Sequence, residues 1–202
     1  MITISFAITA HNEANELNRL LNQLTSTITN GDEIVIQLDS TATATVKFIV
    51  DKYPNVKCHT FSLDKDFATF KNNLKNVCTK DYIFFIDADE YLSEQLVSDL
   101  RELLEINKHV DLFSVPRINT VKGLTEEHIK KWGWQVNQNG WVNYPDAQDR
   151  IIKNKKEICW VNKVHEKITG AGVRTTLPDG YDLIHPKTID NQEKQNAYYA
   201  TI

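Results

Sequence analysis

The stretch Tyr82-Ile83-Phe84-Phe85-Ile86-Asp87-Ala88-Asp89-Glu90 decides the fold. Five apolar or aromatic residues run directly into three acids. A short β-branched and aromatic run predicts a buried strand at the centre of a sheet. The acids then sit at the strand's carboxyl end, which in an open α/β sheet is where ligands bind. Two carboxylates separated by one residue at that edge can hold a hard divalent cation that also grips a diphosphate. Taken alone, the same residues also fit a strand that stops in a charged surface turn.

On the amino-terminal side, strand-like and helix-like segments alternate. Ile2 to Ile8 reads as a strand. Ala14 to Leu24 reads as a helix with Leu17, Leu20, Leu21 and Leu24 on one face. Asn30-Gly31-Asp32 is a turn, Glu33 to Leu38 a strand, and Thr43 to Tyr53 a helix stopped by Pro54. Val56 to Phe61 is a strand. Phe67 to Val77 is a helix with Phe67, Phe70, Leu74 and Val77 on one face. Beyond the acids, Ser93 to Ile106 is a helix with Leu96, Leu100, Leu103 and Leu104 facing inward, and Asp111 to Val115 adds a strand. This alternation implies right-handed βαβ crossovers and a single α/β domain, its mostly parallel central sheet flanked by helices.

After Pro116 the rhythm changes. Arg117 to Tyr144 holds three of the four tryptophans and reads as a partly irregular insertion over the sheet edge. Within it, Thr125 to Trp132 is a short helix capped by Thr125. Arg150 to Lys153 and Ile158 to Val161 are expected as a hairpin around Asn154-Lys155-Lys156, and Asp190 to Ile202 as a helical tail. No linker sets off a second domain.

A chain of 202 residues, 41% hydrophobic and 25% charged, can bury one substantial core. A net charge of -4 argues against a nucleic-acid partner, and no apolar run is long enough to span a bilayer. Met1 to Ala10 lacks a basic leader and reads as a strand rather than a signal peptide. Cys58, Cys78 and Cys159 have no metal-type spacing. Their odd, sparse count points to a reducing, cytoplasmic compartment, with all three as small buried hydrophobes.

Two further strand ends carry polar residues. At His11-Asn12-Glu13, Asn12 suits a helix N-cap and Glu13 a first turn, and the same loop can touch a ribose or diphosphate. At Asp39-Ser40-Thr41 the carboxylate can accept from a base N–H or cap a helix. With Asp87 and Asp89, three strand ends place polar groups on one rim. Neither GxGxxG nor GxxxxGK[ST] is present, so a nucleotide held here needs a metal on its phosphates rather than a glycine-rich cradle.

The order ITAHNE, EIVIQLDS, FATFKN, DYIFFIDADEYLS resembles glycosyltransferase family 2, with its GT-A fold, in the manner of the lipopolysaccharide-core type where DADE follows an apolar strand. The resemblance covers Ile2 to Leu92 and continues more weakly through PDAQDRI, VNKVHEKI and LIHPK. It implies a nucleotide-sugar-binding half at residues 1–115 and an acceptor-binding half at 116–202. Asn12 and Glu13 match the loop on the nucleotide, Asp39 the acid that holds the base, and Lys71 and Asn72 a pair near the donor phosphates. Asp87 and Asp89 match the DxD acids, the second of which usually binds the metal, Mn²⁺ or Mg²⁺, directly; His185, beside Pro186, fits a further ligand, a phosphate contact or a structural histidine. The general base lies a few residues before an arginine; Asp146 fits the spacing to Arg150 better than Asp149.

The implied reaction is metal-dependent transfer of a sugar from a UDP- or GDP-type donor to a carbohydrate or other hydroxyl acceptor, with inversion. One departure stands out. The loop after Asp39 is short and has neither glycine nor second acid, so base and sugar stay open. Two other readings remain: a sugar nucleotidyltransferase, which the HNE loop disfavours, and a non-catalytic nucleotide or carbohydrate binder. His165-Glu166, among Lys153, Lys155, Lys156, Lys163 and Lys167, fits either an anion site or a solvated basic hairpin. Of Trp132, Trp134, Trp141 and Tyr144, at least one is expected to line the acceptor site and at least one to be buried.

Overall fold

Apolar runs bounded by turns form the strands, and leucine stripes of helical period cover them. In the computed structural model, residues 1–29 and 31–199 are described, Tyr199 by its backbone alone. The expected turn residue Asn30 and the last three residues of the expected tail helix lie outside them. The first half runs β1 (Ile4–Ala10), α1 (Ala14–Thr27), β2 (Glu33–Asp39), α2 (Ala44–Asp51), β3 (Lys57–Phe61), α3 (Phe67–Val77), β4 (Tyr82–Asp87), β5 (Tyr91–Leu92), α4 (Glu94–Ile106) and β6 (Leu112–Val115). The second half runs β7 (Arg117–Lys122), α5 (Glu126–Trp132), β8 (Gln148–Lys153), β9 (Cys159–Val161), β10 (Lys167–Thr169), β11 (Arg174–Thr176), β12 (Leu183–Thr188) and α6 (Ile189–Tyr199).

The main sheet has seven strands in the order β11-β6-β8-β4-β1-β2-β3. β1 pairs in parallel with β2 and β4, β2 with β3, and β11 with β6. Only β8 runs against its neighbours, β4 and β6. β4 is thus a central strand, and its residues divide between two core layers. Tyr82, Phe84 and Ile86 pack with the α1 and α4 leucines, whereas Ile83 and Phe85 pack with Leu74 of α3 and Trp160 of β9. Burial on both faces explains why the strand is a continuous apolar run rather than an alternating one.

Helix faces follow the leucine spacing. Leu17, Leu20, Leu21 and Leu24 of α1 are wholly buried, as are Leu96, Leu100 and Leu104 of α4, with Leu103 partly covered. The α3 face differs from expectation. Phe70 and Leu74 are buried, but Val77 is 41% exposed and the inner face instead takes Ala68, Lys71 and Lys75. Lys71 can be buried because an ion pair awaits it, described below.

Thr125 caps α5 as expected, and Thr43 and Ser93, expected as first helical residues, are the N-caps of α2 and α4; each hydroxyl accepts a backbone N–H. Asn12 does not cap α1. Glu13 is the N-cap residue, and its carboxylate turns back to accept the N–H groups of His11 and Asn12 at 2.8 and 3.0 Å. Its carboxylate therefore closes the loop before the helix, and no side chain among the described residues caps the first N–H groups of α1.

Three further expectations change. The hairpin does not form. β8 enters the main sheet, where Ile151 and Ile152 feed opposite core layers, and β9 pairs with β10 instead. Apolar residues on both sides make β8 an interior strand, not one arm of a surface hairpin. Only Cys78 is buried; Cys58 lies exposed on edge strand β3 and Cys159 is intermediate on β9. Trp132, Trp134, Trp141 and Tyr144 are all half-buried, and the buried tryptophan is Trp160.

A three-stranded sheet, β5-β12-β7, flanks the acid-bearing edge, with His185 of β12 in register with Asn119 of β7. Among the described residues no helix is long and apolar enough to cross a membrane.

Candidate active site

Parallel pairing of β4, β1 and β2 puts their carboxyl ends on one rim, as the three polar strand ends require. Thr9 and Asp87 are register partners, and the Thr9 hydroxyl donates to Asp87 Oδ1 at 3.3 Å. Alternation along β4 aims Asp87 to the side of Ile83 and Phe85, toward α3. Because β8 is antiparallel to β4 and pairs Ile151 with Phe84, its first residues reach the same rim.

Arg150 of β8 donates from Nη2 to Asp87 Oδ2 at 2.7 Å and to Glu90 Oε1 at 2.6 Å. Arg117 donates from Nη1 to Glu90 Oε1 at 3.2 Å, and from Nε and Nη2 to Asp146 Oδ2 at 3.0 and 2.7 Å. Glu90 is 0% exposed and Arg150 4%, whereas Asp87 keeps 34% of its side chain accessible. Burial alone would raise the pKa of Asp87. The charges of Arg150 and Lys71, with the Arg150 hydrogen bond, outweigh it and hold Asp87 well below the usual carboxylate range.

Asp89 stands at the tip of the turn after β4. Its Oδ2 lies 3.2 Å from His185 Nε2, and His185 Nδ1 lies 2.8 Å from Asn119 Oδ1. Asn119 is oriented by its amide nitrogen, which donates to Asp146 Oδ2 at 2.6 Å. An amide oxygen facing Nδ1 calls for a proton there, so the neutral ring turns a lone pair toward Asp89; this tautomer is assigned from the hydrogen-bond network. Either a second ring proton or a shared cation reconciles that lone pair with the carboxylate. Burial pushes the Asp89 pKa up, and the His185 hydrogen bond and charge bring it down to a net lowering.

The donor set fits a divalent cation in part. Asp89 and His185 are oxygen and nitrogen ligands of the kind Mn²⁺ accepts. Among the described residues, no group of three or more His, Cys, Asp or Glu is arranged to hold a metal ion by itself. The pair alone would supply only two of the ligands such a cation takes.

The remaining predicted residues divide. Lys71 joins the site: its buried Nζ pairs with Glu166 Oε1 at 2.5 Å, lies over the Trp160 ring, and adds to the field on Asp87. Asn72 has another task. Its amide donates to Trp160 O at 2.8 Å and accepts Trp160 N–H at 2.9 Å, which clamps β9 to α3. Asp39 Oδ1 accepts from Thr41 N at 2.9 Å while the residue lines an open cleft of about 460 Å³ with Thr41, Ser62, Lys65 and Tyr198. His11 Nε2 meets Thr41 Oγ1 at 3.0 Å, so the first two loops touch, with Asn12 exposed beside them.

Asp146 lies in the left-handed region at φ +34° and is held by four donations. Arg117 makes two, Asn119 one, and Gln148 Nε2 the fourth, to Oδ1 at 2.9 Å. Asp149 points to the opposite face from Arg150, where Ser114 Oγ donates to it at 2.6 Å. Of the two acids, only Asp146 joins the Glu90 network.

Sequence reasoning missed Glu90, Arg117, Asn119 and Lys187 and treated Arg150 as a mere marker of spacing. Glu90 was visible as the third acid of DADE. Arg117 and Asn119 carried no local signal, because side-chain contacts across 27 residues, to Glu90 and to Asp146, bring them to the site. Lys187 is two residues past His185 on β12. Burial lowers its pKa, against the opposing charges of Asp89, Asp87 and Glu90.

Acids, arginines and a lysine gathered at the carboxyl edge of a mostly parallel sheet, without a glycine-rich loop, mark an α/β protein of GT-A type. The profile of glycosyl transferase family 2 matches residues 5–164, and the chain belongs to that family. The SPbeta prophage-derived glycosyltransferase SunS of Bacillus subtilis strain 168 is 27% identical over 166 residues, 82% of this chain and 34% of that protein. Glycosyltransferase SunS of Bacillus phage SPbeta matches equally. The chain thus spans about a third of the length of these curated relatives. Among solved structures, S. aureus TarS 1-349 in complex with UDP superposes with a TM-score of 0.65 at 15% identity, covering 92% of this chain and 60% of that one. Its complex with UDP-GlcNAc gives 0.63 at 14%, over 93% and 59%. At such identities the likeness establishes the fold.

Proposed function

We propose that this protein transfers a sugar from a UDP-type donor to an acceptor hydroxyl, with a divalent cation and with inversion. The observation that carries the reading is the continuous network from Asp87 through Arg150, Glu90 and Arg117 to Asp146, with Asp89 and His185 beside it. It sets a diphosphate-handling edge next to a positioned carboxylate. UDP is favoured because TarS, which shares the fold, has been solved with UDP and with UDP-GlcNAc.

Asp89 and His185 would hold Mn²⁺ or Mg²⁺, which when bound offsets the negative charge on the departing diphosphate. Asp39 and the cleft beside it would take the nucleoside, with Asn12 on its open side. Lys71, released from Glu166, would face the phosphates. Arg150 holds Asp87 in its ionised form at the sugar side. Asp146 presents Oδ1, its less occupied oxygen, to take the acceptor proton. Attack from the side opposite the leaving group inverts the anomeric centre. The half-buried aromatic pair Trp141 and Tyr144, with ring centroids 4.9 Å apart, adjoins Asp146 in sequence and would stack on a saccharide acceptor. Three thiols left unpaired support a cytoplasmic setting.

Calorimetric titration of UDP and GDP, each with and without Mn²⁺, tests the reading together with hydrolysis assays on a panel of nucleotide-sugars. Metal-dependent UDP binding with turnover is expected. Binding without any hydrolysis would instead make the chain a non-catalytic binder, and no binding of any nucleoside diphosphate would sink the proposal.

A further inference from the structure

Glu90 touches no group assigned a chemical step, yet it is the most deeply buried member of the network. A carboxylate taken out of water is costly unless paired and fully hydrogen-bonded. Oε1 accepts from Arg150 and Arg117 at 2.6 and 3.2 Å, and Oε2 accepts the backbone N–H of Asp87 at 3.0 Å. The Glu90 N–H in turn donates to Asp87 O at 2.9 Å, which closes the turn that carries Asp89.

We propose that Glu90 is a positioning residue that sets Asp87 and Asp146 relative to one another, acting through Arg150 and Arg117. The proposal rests on the transferase reading above. Each arginine holds Glu90 with one acid more: Arg150 takes Asp87, Arg117 takes Asp146. On Arg117, Nη1 meets Glu90 while Nε and Nη2 meet Asp146, so anchoring one side of the planar, rigid guanidinium orients the other; on Arg150 the two acids share Nη2. Arg150 depends on this anchor closely, because among the described residues its buried Nε has no hydrogen-bond partner and both acids are held from Nη2. Three acids, Asp87, Glu90 and Asp146, face two arginines. Neutralising Glu90 leaves one acid per arginine and no shared pivot, so the two sides lose their common reference. A pair of well-packed apolar residues would serve stability as well as this buried ionic pivot does. Its value therefore lies in geometry.

The test is a double-mutant cycle on nucleotide-sugar hydrolysis, assayed well below each variant's melting temperature. Glu90→Gln is expected to lower kcat by about 30- to 100-fold with donor KM changed less than about fivefold. Arg117→Met should do much the same, and the double variant should be no more than about threefold worse than the poorer single one. A merely structural Glu90 would lower the melting temperature and leave kcat per folded molecule intact, which overturns the proposal. Multiplicative losses in the double variant overturn it too. Should Glu90→Gln fail to fold, Arg117→Met decides: a kcat loss at constant donor KM supports the pivot, and an unchanged kcat refutes it. A wild type that hydrolyses no nucleotide-sugar but binds UDP overturns the transferase reading itself, a result distinct from an active wild type matched by its Glu90→Gln variant.

Discussion

The rim is built in two ways. On the proposed donor side, Asp39 and Asp87 occupy the last positions of parallel strands, and backbone pairing alone brings them to one edge. On the proposed acceptor side, Asp146 sits on a turn with positive φ and is placed by Arg117, Asn119 and Gln148. One half inherits its geometry from the sheet; the other assembles it from side chains. Topology tolerates single substitutions, whereas a hydrogen-bonded cluster fails when one member goes.

That contrast can be broken at several points. The largest effect belongs to the chemistry: Asp89→Ala should cut metal-dependent hydrolysis about 10³-fold or more while thermal unfolding shifts little. Activity that survived would move the cation elsewhere. Asp146→Asn should lose about 10²- to 10³-fold in transfer with UDP affinity unchanged, read by calorimetry beside kinetics. Stability separates the halves next. Leu20→Ala, in the wholly buried stripe of α1, should cost about 3 kcal/mol in denaturant unfolding.

Glu33 offers a pH handle far from the site. Burial would raise its pKa, but hydrogen bonds from Lys57, Ser5 and Thr79 bring it down to about 2. A lowered carboxylate stabilises the fold above its unfolded value of 4.5 and loses that contribution as pH falls from there to about 2. The loss should be about 2 kcal/mol, since exposed Lys57 is screened, and Glu33→Gln should flatten the curve in that window. The smallest effect falls on α5, which buries none of its residues. Thr125→Ala should cost it about 1 kcal/mol, seen as faster amide exchange in that helix with global unfolding unmoved.

The same division explains what was legible beforehand. α3 matches its expected bounds and β4 extends its expected run by one residue, because apolar period and turn residues act locally. DADE at a strand end announced the rim for the same reason. Glu90, though visible in DADE, and Arg117 went unassigned because neither carries a periodic signal and each takes its place from the other, 27 residues away. The family resemblance placed Asn72 near the donor phosphates; its amide here binds both backbone groups of Trp160. β8 misled for a different reason: a short apolar segment beside a turn fits a hairpin arm and an interior strand alike.

The reversed strand β8 also bears on how the chain matures. Residues 1–115 contain β4 and β6, yet these two are not neighbours; β8 lies between them. A chain that stops before β8 would leave the flank of β4 at Tyr82, Ile83 and Phe84 without its partner strand, a template for strands of other molecules. Cutting the gene at 115 should therefore yield aggregates rather than a small nucleotide-binding unit, and a monomeric, folded fragment would refute this.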